Sequence, residues 1–531
     1  MAIAGVVRPG PTLIGEPPRH RRPRRWLVVA GLLALAGVLA GIWFAGQNWP
    51  FRYSKMQPLL EDDFGSRVTI AHYRCMYFPN PGFVATGLTI RRRSATDQPP
   101  IGTVERMLVE SSWIDVLLLR QRAERVEMTG VHMVLPPPGS RAAQADFPPG
   151  STLDFTGPDT PIARLEIHDS LLDVLRTNGT RFSFPVHQLQ IENLRKGKAF
   201  AYAVDMEDAI PRGRIRASGS FGPLSAGSSG DTPVSGRFTF ENIRLDDIGK
   251  LHGTMQSSGR FEGGLAEIRA QAETETPDFA VDDGRPIGVA GTIDCTVNGL
   301  NGNVIYHSME ARAGATRVLA SGSTSGKPGK ATDLDLTIRN GRVQDVLRPF
   351  LHGEVPITGP VILFAHAHLE PQGEGGFLER LRVDGTFQAP RERETDERLE
   401  RSLTDFSQRA QGKKAPKPDN DGASGMTDAV SSISGSASIR KGVVTAHGLT
   451  FTVAGAQARL EGTFNLHTCE AHLAGKMATR SDISHEATGF KSFLLKPLVP
   501  FFRTKKAGAV IPIAVTGRPG KYQVTENIGA K

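Results

Sequence analysis

Cysteine is scarce in this 531-residue chain, which holds only Cys75, Cys295 and Cys469. They lie far apart, with no Cys-x-x-Cys pair and no metal-ligand spacing, so neither a disulfide framework nor a zinc module holds the fold together. The pattern reads as buried thiols, with one disulfide in an oxidising compartment as the alternative. Catalytic motifs are missing as well. There is no Gly-x-Ser-x-Gly, no His-Glu-x-x-His, no Walker loop and no Gly-x-Gly-x-x-Gly set between a strand and a helix. His366, His368 and Glu370 share a strand face in FAHAHLE, but a lone triplet without a second ligand cluster reads as a solvated face rather than a zinc site. Glu61-Asp62-Asp63 and Asp246-Asp247 read as turn or cap acids rather than paired catalytic carboxylates. The sequence thus predicts no enzyme, no catalytic residue, no metal and no cofactor.

Long apolar runs are equally rare, and the single one present is informative. Trp26 to Ala45 reads WLVVAGLLALAGVLAGIWFA without a charge. Twenty helical residues span roughly 30 Å, the thickness of the hydrocarbon layer. Arg8, Arg19, Arg21, Arg22, Arg24 and Arg25 precede it against only Glu16, and this bias predicts a cytoplasmic N-terminus with the rest of the chain exported. A cleaved signal peptide is the rival. Its apolar core is usually shorter and ends at small residues, whereas here Trp43, Phe44 and Trp49-Pro50 follow. The net charge of +8 is largely this tail, which contributes +5 and leaves +3 for the body. Basicity therefore sets topology, and no nucleic-acid partner is expected.

Helical periodicity is sparse. Candidate helices cover Val104 to Arg120, Arg391 to Gln411 and Ile483 to Leu495; Gly412 to Gly425 and Pro136 to Pro161 read as loops. Strand alternation dominates instead. In DLDLTIRNGR, Leu334, Leu336 and Ile338 share one face while Asp335, Thr337 and Arg339 share the other, and Asn340-Gly341 predicts a hairpin turn. Comparable alternation marks Gly236 to Ile243, Arg382 to Phe387, Ala437 to Val444, Leu449 to Val453 and Ala458 to Leu466. Short strands with frequent turn signals predict a meandering antiparallel sheet. Glycine recurs inside them, as in SGSFG (218–222), SSGRFEGG (257–264), VAGTID (289–294), ASGSTSG (320–326), VDGTF (383–387) and LEGTF (460–464). Any one of these suits an ordinary turn; repeated, they predict a sheet that curves or lets backbones approach closely.

These residues carry a family resemblance. Gly65 to Arg91 (GSRVTIAHYRCMYFPNPGFVATGLTIR) resembles the N-terminal module of AsmA-like envelope proteins, with its Pro-Gly and Gly-Leu-x-Ile element, and Val104 to Pro136 resembles the short helix and strands that come next in that module. FGPL (221–224), RLDDIGKLHGTMQSSGRFEG (244–263), TPDFAV (276–281), RVQDVLRPF (342–350), LEGTFNLHTCEAHLAGKM (460–477) and IPIAVTGRPGKYQV (511–524) are similar to AsmA-like repeats. The resemblance runs from about residue 26 to 527 through degenerate β patterns. It implies a bacterial inner-membrane protein of the AsmA and TamB type, single-pass, with its body in the periplasm and a role in outer-membrane biogenesis and lipid movement. The expected fold is mainly β, an elongated, curled antiparallel sheet forming a groove, with one N-terminal transmembrane helix and a few short helices. The expected organisation is a basic tail (1–25), the span (26–45), an AsmA-like module (46–135), a linker (136–160), a repeat body (161–390), a charged helix and loop (391–430) and a C-terminal AsmA-like β region (431–531).

Two groups of residues are candidate sites. Phe238, Phe240, Leu334, Leu336 and Ile338 are candidates to touch lipid along the apolar groove, or to fill a closed core. In FKSFLLKPLVPFFRTKK, residues 490 to 506, Phe493, Leu494, Leu498, Phe501 and Phe502 beside Arg503, Lys505 and Lys506 suit an anionic membrane surface; a lid packed on the sheet is the bland alternative. The expected partners are the inner membrane, phospholipid or another envelope lipid, and other envelope proteins. The rival function is a periplasmic scaffold that binds envelope proteins and carries no lipid.

Overall fold

The computed structural model describes residues 35–37, 39, 49–92, 100–118, 120–136, 160–175, 181–223, 229–326, 330–355, 357–371, 376–394, 431–453, 456–479, 510–518 and 521–526. The chain divides into Met1–Pro58 and Leu59–Lys531. Most of the predicted span lies outside the described residues; Leu35, Ala36, Gly37 and Leu39 are helical and exposed. Among the described residues no helix is long and apolar enough to cross a membrane. Helix α1 (Tyr53–Asp63) straddles the division.

The larger unit is mainly β, and its strands pair almost entirely in chain order. Strands β1 (Arg67–Met76), β2 (Gly82–Arg91), β3 (Gly102–Glu110) and β4 (Ala123–Leu135) are successive antiparallel neighbours. β4 then lies parallel to β5 (Ile162–Leu175), and this is the only parallel pair among the described strands. A parallel neighbour requires the chain to travel back along the strand, which accounts for the long Pro-rich connection 136–161. The antiparallel meander resumes with β6 (Arg181–Leu194), β7 (Phe200–Ala209), β8 (Arg212–Phe221) and β9 (Pro233–Arg244). After the two-residue β10 (Leu251–His252) come β11 (Thr254–Gly264), β12 (Glu267–Val281), β13 (Ile287–Val297), β14 (Val304–Ala313), β15 (Thr316–Thr324) and β16 (Thr332–Arg342). After the equally short β17 (Ile357–Thr358) come β18 (Pro360–Leu369), β19 (Leu381–Glu394), β20 (Ser431–Arg440) and β21 (Val443–Val453). The sheet ends with β22 (Ala456–Asn465), β23 (Glu470–Thr479), β24 (Val510–Gly517) and β25 (Gln523–Glu526). It is not closed. Among the described strands β1 pairs only with β2, and β25 only with β24.

Several expectations need correction. Of the helix predicted over Val104 to Arg120, Val104 to Glu110 belong to β3, where Val104, Met107, Leu108 and Val109 are buried. Only α2 (Trp113–Leu117) is helical there, begun where the Ser112 hydroxyl accepts from the Asp115 N–H. The first residues of the helix predicted from Arg391 belong instead to β19, and the remainder, like Ile483 to Leu495, lies outside the described residues. Asn340-Gly341 does not make a hairpin. β16 passes through it with a register shift and leads into α3 (Val343–Leu347), because Val343, Leu351 and Val355 beyond it are buried in a shared core. Ala437 to Val444 is itself a hairpin rather than one strand, turning at Lys441 and Gly442, both at positive φ.

Among the described residues, enclosed cores lie at several points along the sheet, one of them around Ala458, Leu460, Met477 and Ile513 on β22 to β24. In β1 to β3, Val68, Phe83, Leu88 and Val104 are almost wholly enclosed. A second cluster joins Val281, Ile338, Val343, Leu351, Leu378 on α4 (Phe377–Arg380), Leu466 and Cys469. Its rim is polar: the Phe377 N–H donates to the Gly249 carbonyl at 2.9 Å, Asp282 pairs with Lys250 at 3.3 Å and with His467 at 3.5 Å. None of the three cysteines forms a disulfide; Cys295 and Cys469 are buried and Cys75 is half-buried. Burial pushes the Cys295 thiol up, with Asp294 adding to it, and burial does the same at Cys469.

Candidate functional site: the apolar face of the sheet

The register connects the strands into lateral rows, since directly paired residues point to the same face. One row crosses all 23 strands longer than two residues. It starts at Tyr73 and runs through Ala85, Met107 and Met128 to Ile167. Leu189, Val204, Ala217, Phe238, Gly259 and Ala272 continue it. Ile293, Met309, Ala320, Leu336, Ala365 and Gly385 follow. Ala437, Ala446, Gly462, Leu473, Val515 and Val524 complete it. No member carries a charge, and only the Tyr73 hydroxyl can donate a hydrogen bond.

The adjacent row on the opposite face is the complement. From Thr86 through Arg106, His168, Asp205, Arg216, Thr239, Glu273 and Glu310 to Thr386 it is polar, with Leu319 and Phe364 the exceptions. Ion pairs knit this face together. Arg214 donates both ways to Asp205 at 2.7 Å, and Arg125 reaches Glu166 at 2.7 Å. The Arg214 and Arg216 guanidiniums hold the Asp205 carboxyl below the usual carboxylate range, outweighing burial.

What distinguishes the apolar face is incomplete cover. Ala85 and Met107 are buried, but from β5 to β16 every member of the row, Ile167 to Leu336, is only half-buried. Among the described residues, none covers this stretch to the depth seen in β2 and β3. Aromatic rings lie over glycines here. A Cβ on Gly259 would stand 2.9 Å from the Phe238 ring and 2.3 Å from the Gln271 carbonyl oxygen. One on Gly236 would stand 2.9 Å from Phe261, the next ring, whose centroid is 6.4 Å from that of Phe238. Glycines of all six motifs seen in the sequence line this face, at 219, 259, 291, 322, 385 and 462.

The five predicted lipid contacts fall on the apolar face but not in one place. Phe238 and Phe240 are half-buried on β9, and Leu334 and Leu336 are half-buried on β16. Ile338 is 3% exposed inside the second core cluster and so is packed by protein. Residues 490–506, holding the predicted membrane-surface group, lie outside the described residues. Sequence reasoning missed Ile167, Leu189, Val204, Ile293 and Met309. Each alternates with polar neighbours, but membership of a row depends on pairing that one strand does not reveal.

An acid, Asp208, also reaches the apolar face. Asp208 pairs in register with Gly213, and burial raises its carboxyl pKa; N–H donors of Ala209 and Ile210 and the charge of Lys330 oppose the rise. His366 and His368 stand on the polar face. His366 meets Asp335 at 2.9 Å, His368 meets Asp333 at 2.6 Å, and Glu370 pairs with Arg382. Asp335 first, then burial in opposition and the charges of Asp333 and Asp384, raise the His366 pKa. Among the described residues no group of three or more His, Cys, Asp or Glu is arranged to hold a metal. A cavity of about 580 Å³ also opens on the polar face, among Glu241, Glu273, Glu275, Glu310 and Arg312.

Comparison with known protein families and with curated proteins finds no match to this chain.

Proposed function

We propose that this chain is an AsmA-like inner-membrane protein whose body lies in the periplasm and binds lipid acyl chains along the apolar face. The observation that carries the reading is the uncharged row with its half-covered stretch from β5 to β16. Bare acyl chain in water costs roughly 0.8 kcal/mol per methylene, and a wall of alternate apolar side chains removes that cost. At about 4.8 Å between strands the row has a contour of roughly 105 Å, long enough for several lipids in file.

Curling of the sheet into a groove is supported by its contacts. Asp282 at the end of β12 and His467 between β22 and β23 are nine strand spacings apart, about 43 Å along a flat sheet. They meet at 3.5 Å. Small residues on the concave side and repeated register shifts, as in β9, β12, β13 and β14, favour such bending. The uncharged run Trp26 to Ala45 is the anchor in this reading, and residues 490–506 are a further contact with an anionic membrane surface. The non-catalytic scaffold remains the second reading, favoured by β1 and β25, each paired on one side only among the described strands, an edge that suits addition of a partner strand.

Mass spectrometry of lipid bound to the purified full chain after exchange into lipid-free detergent separates the two. Lipid carriage predicts retained phospholipid or another envelope lipid. A folded chain free of lipid favours the scaffold.

A further inference from the structure

The β1–β2 turn and α2 make a second apolar surface, away from the row. Phe78 is 87% exposed, Leu117 77%, Ile114 66%, Leu118 55%, Tyr77 54% and Trp113 41%. Two bonds fix these segments together: the Trp113 indole N–H donates to the Pro79 carbonyl at 3.1 Å, and the Ser111 N–H donates to the Pro81 carbonyl at 2.8 Å. Six large apolar side chains exposed on two segments joined in this way exceed the scatter of single apolar residues on an ordinary surface.

Cationic side chains outnumber solvent-accessible carboxylates around them, Arg74, Arg120 and Arg122 against Glu110 and Glu124. Residues 71–82 contain no acid, and residues 111–122 contain only Asp115. Asp115 is 6% exposed and accepts the Ser112 hydroxyl at 2.7 Å, so it presents no carboxylate to solvent. Arg74 and Arg120 are exposed at the rim, and Arg122 reaches Glu124 at 3.9 Å. Indole, phenol and aliphatic side chains edged by guanidinium match the headgroup level of an anionic bilayer, where aromatic rings settle and arginines are drawn to anionic headgroups.

We infer that Tyr77, Phe78, Trp113, Ile114, Leu117 and Leu118 insert into the surface of an anionic membrane. The contact orients the first strands against the bilayer, and it holds whether or not the apolar row carries lipid.

The test uses full-length chain with Trp26, Trp43 and Trp49 replaced by Phe, leaving Trp113 as the only tryptophan. Its emission is read with vesicles of brominated phosphatidylcholine, alone or mixed with brominated phosphatidylglycerol. A blue shift and at least twofold quenching are expected with the anionic vesicles, reduced by Arg74→Glu with Arg120→Glu. Phe78→Ser with Leu117→Ser, in the same single-tryptophan background, should lower the quenching of Trp113 by the anionic vesicles while far-ultraviolet dichroism stays unchanged. Absence of quenching in both vesicles overturns the inference, as does equal quenching in both. Concentration-dependent shielding of Trp113 without lipid would assign the patch to a second copy of the chain and overturn it too. Loss of bound lipid from the apolar row leaves this readout unchanged, so the two proposals fail separately.

Discussion

Asp173 shows how a buried carboxylate is held within the sheet. It is fully enclosed, yet its oxygens accept from Ser183 at 2.6 Å and meet His132 at 2.8 Å and Arg181 at 3.2 Å. Burial acts to raise its pKa; Ser183, His132 and Arg181 together overcome this and hold it below the ordinary carboxylate range. A depressed acid stabilises the fold above its unfolded pKa, and that contribution is lost as pH falls through the folded value. Asp173→Asn should therefore cost about 1–3 kcal/mol at pH 7, with the difference from the parent shrinking below about pH 4. Urea denaturation at the two pH values reads both. None of this was visible in the sequence, because Arg181 and Ser183 come from β6 and His132 from β4, on either side of β5.

Among the elements, strands were legible and their partners were not. Alternation located β9, β16, β19 and β22, since a half-buried strand must repeat every two residues. It misled at Val104 to Arg120, where a run of apolar residues fits a helix or a buried strand equally. It also failed at Asn340-Gly341, where burial of the following residues outweighed a strong local turn signal. The recurring glycines were the most faithful signal. Gly259 admits the Phe238 ring and the neighbouring backbone only because it has no side chain. Gly259→Val should destabilise by about 1–3 kcal/mol through overpacking, measured as a lower denaturation midpoint, and Gly259→Ala by less.

For the whole molecule, the amphipathic character of the sheet was foreseeable and its openness was not. The same alternation produces a filled core in β2 and β3 and a half-covered face from β5 to β16, and only cover by other elements separates the two. Neighbouring side chains on one strand provide the sharpest test. Phe238 and Leu336 belong to the apolar row; Thr239 and Thr337 follow them directly and face the other way. A photoreactive amino acid at each of the four positions, irradiated in cells expressing the full chain, reports what each face touches. Lipid adducts at 238 and 336 with none at 239 and 337 are predicted; no adduct at any of the four, or equal adducts on both faces, would contradict a lipid-bearing apolar face.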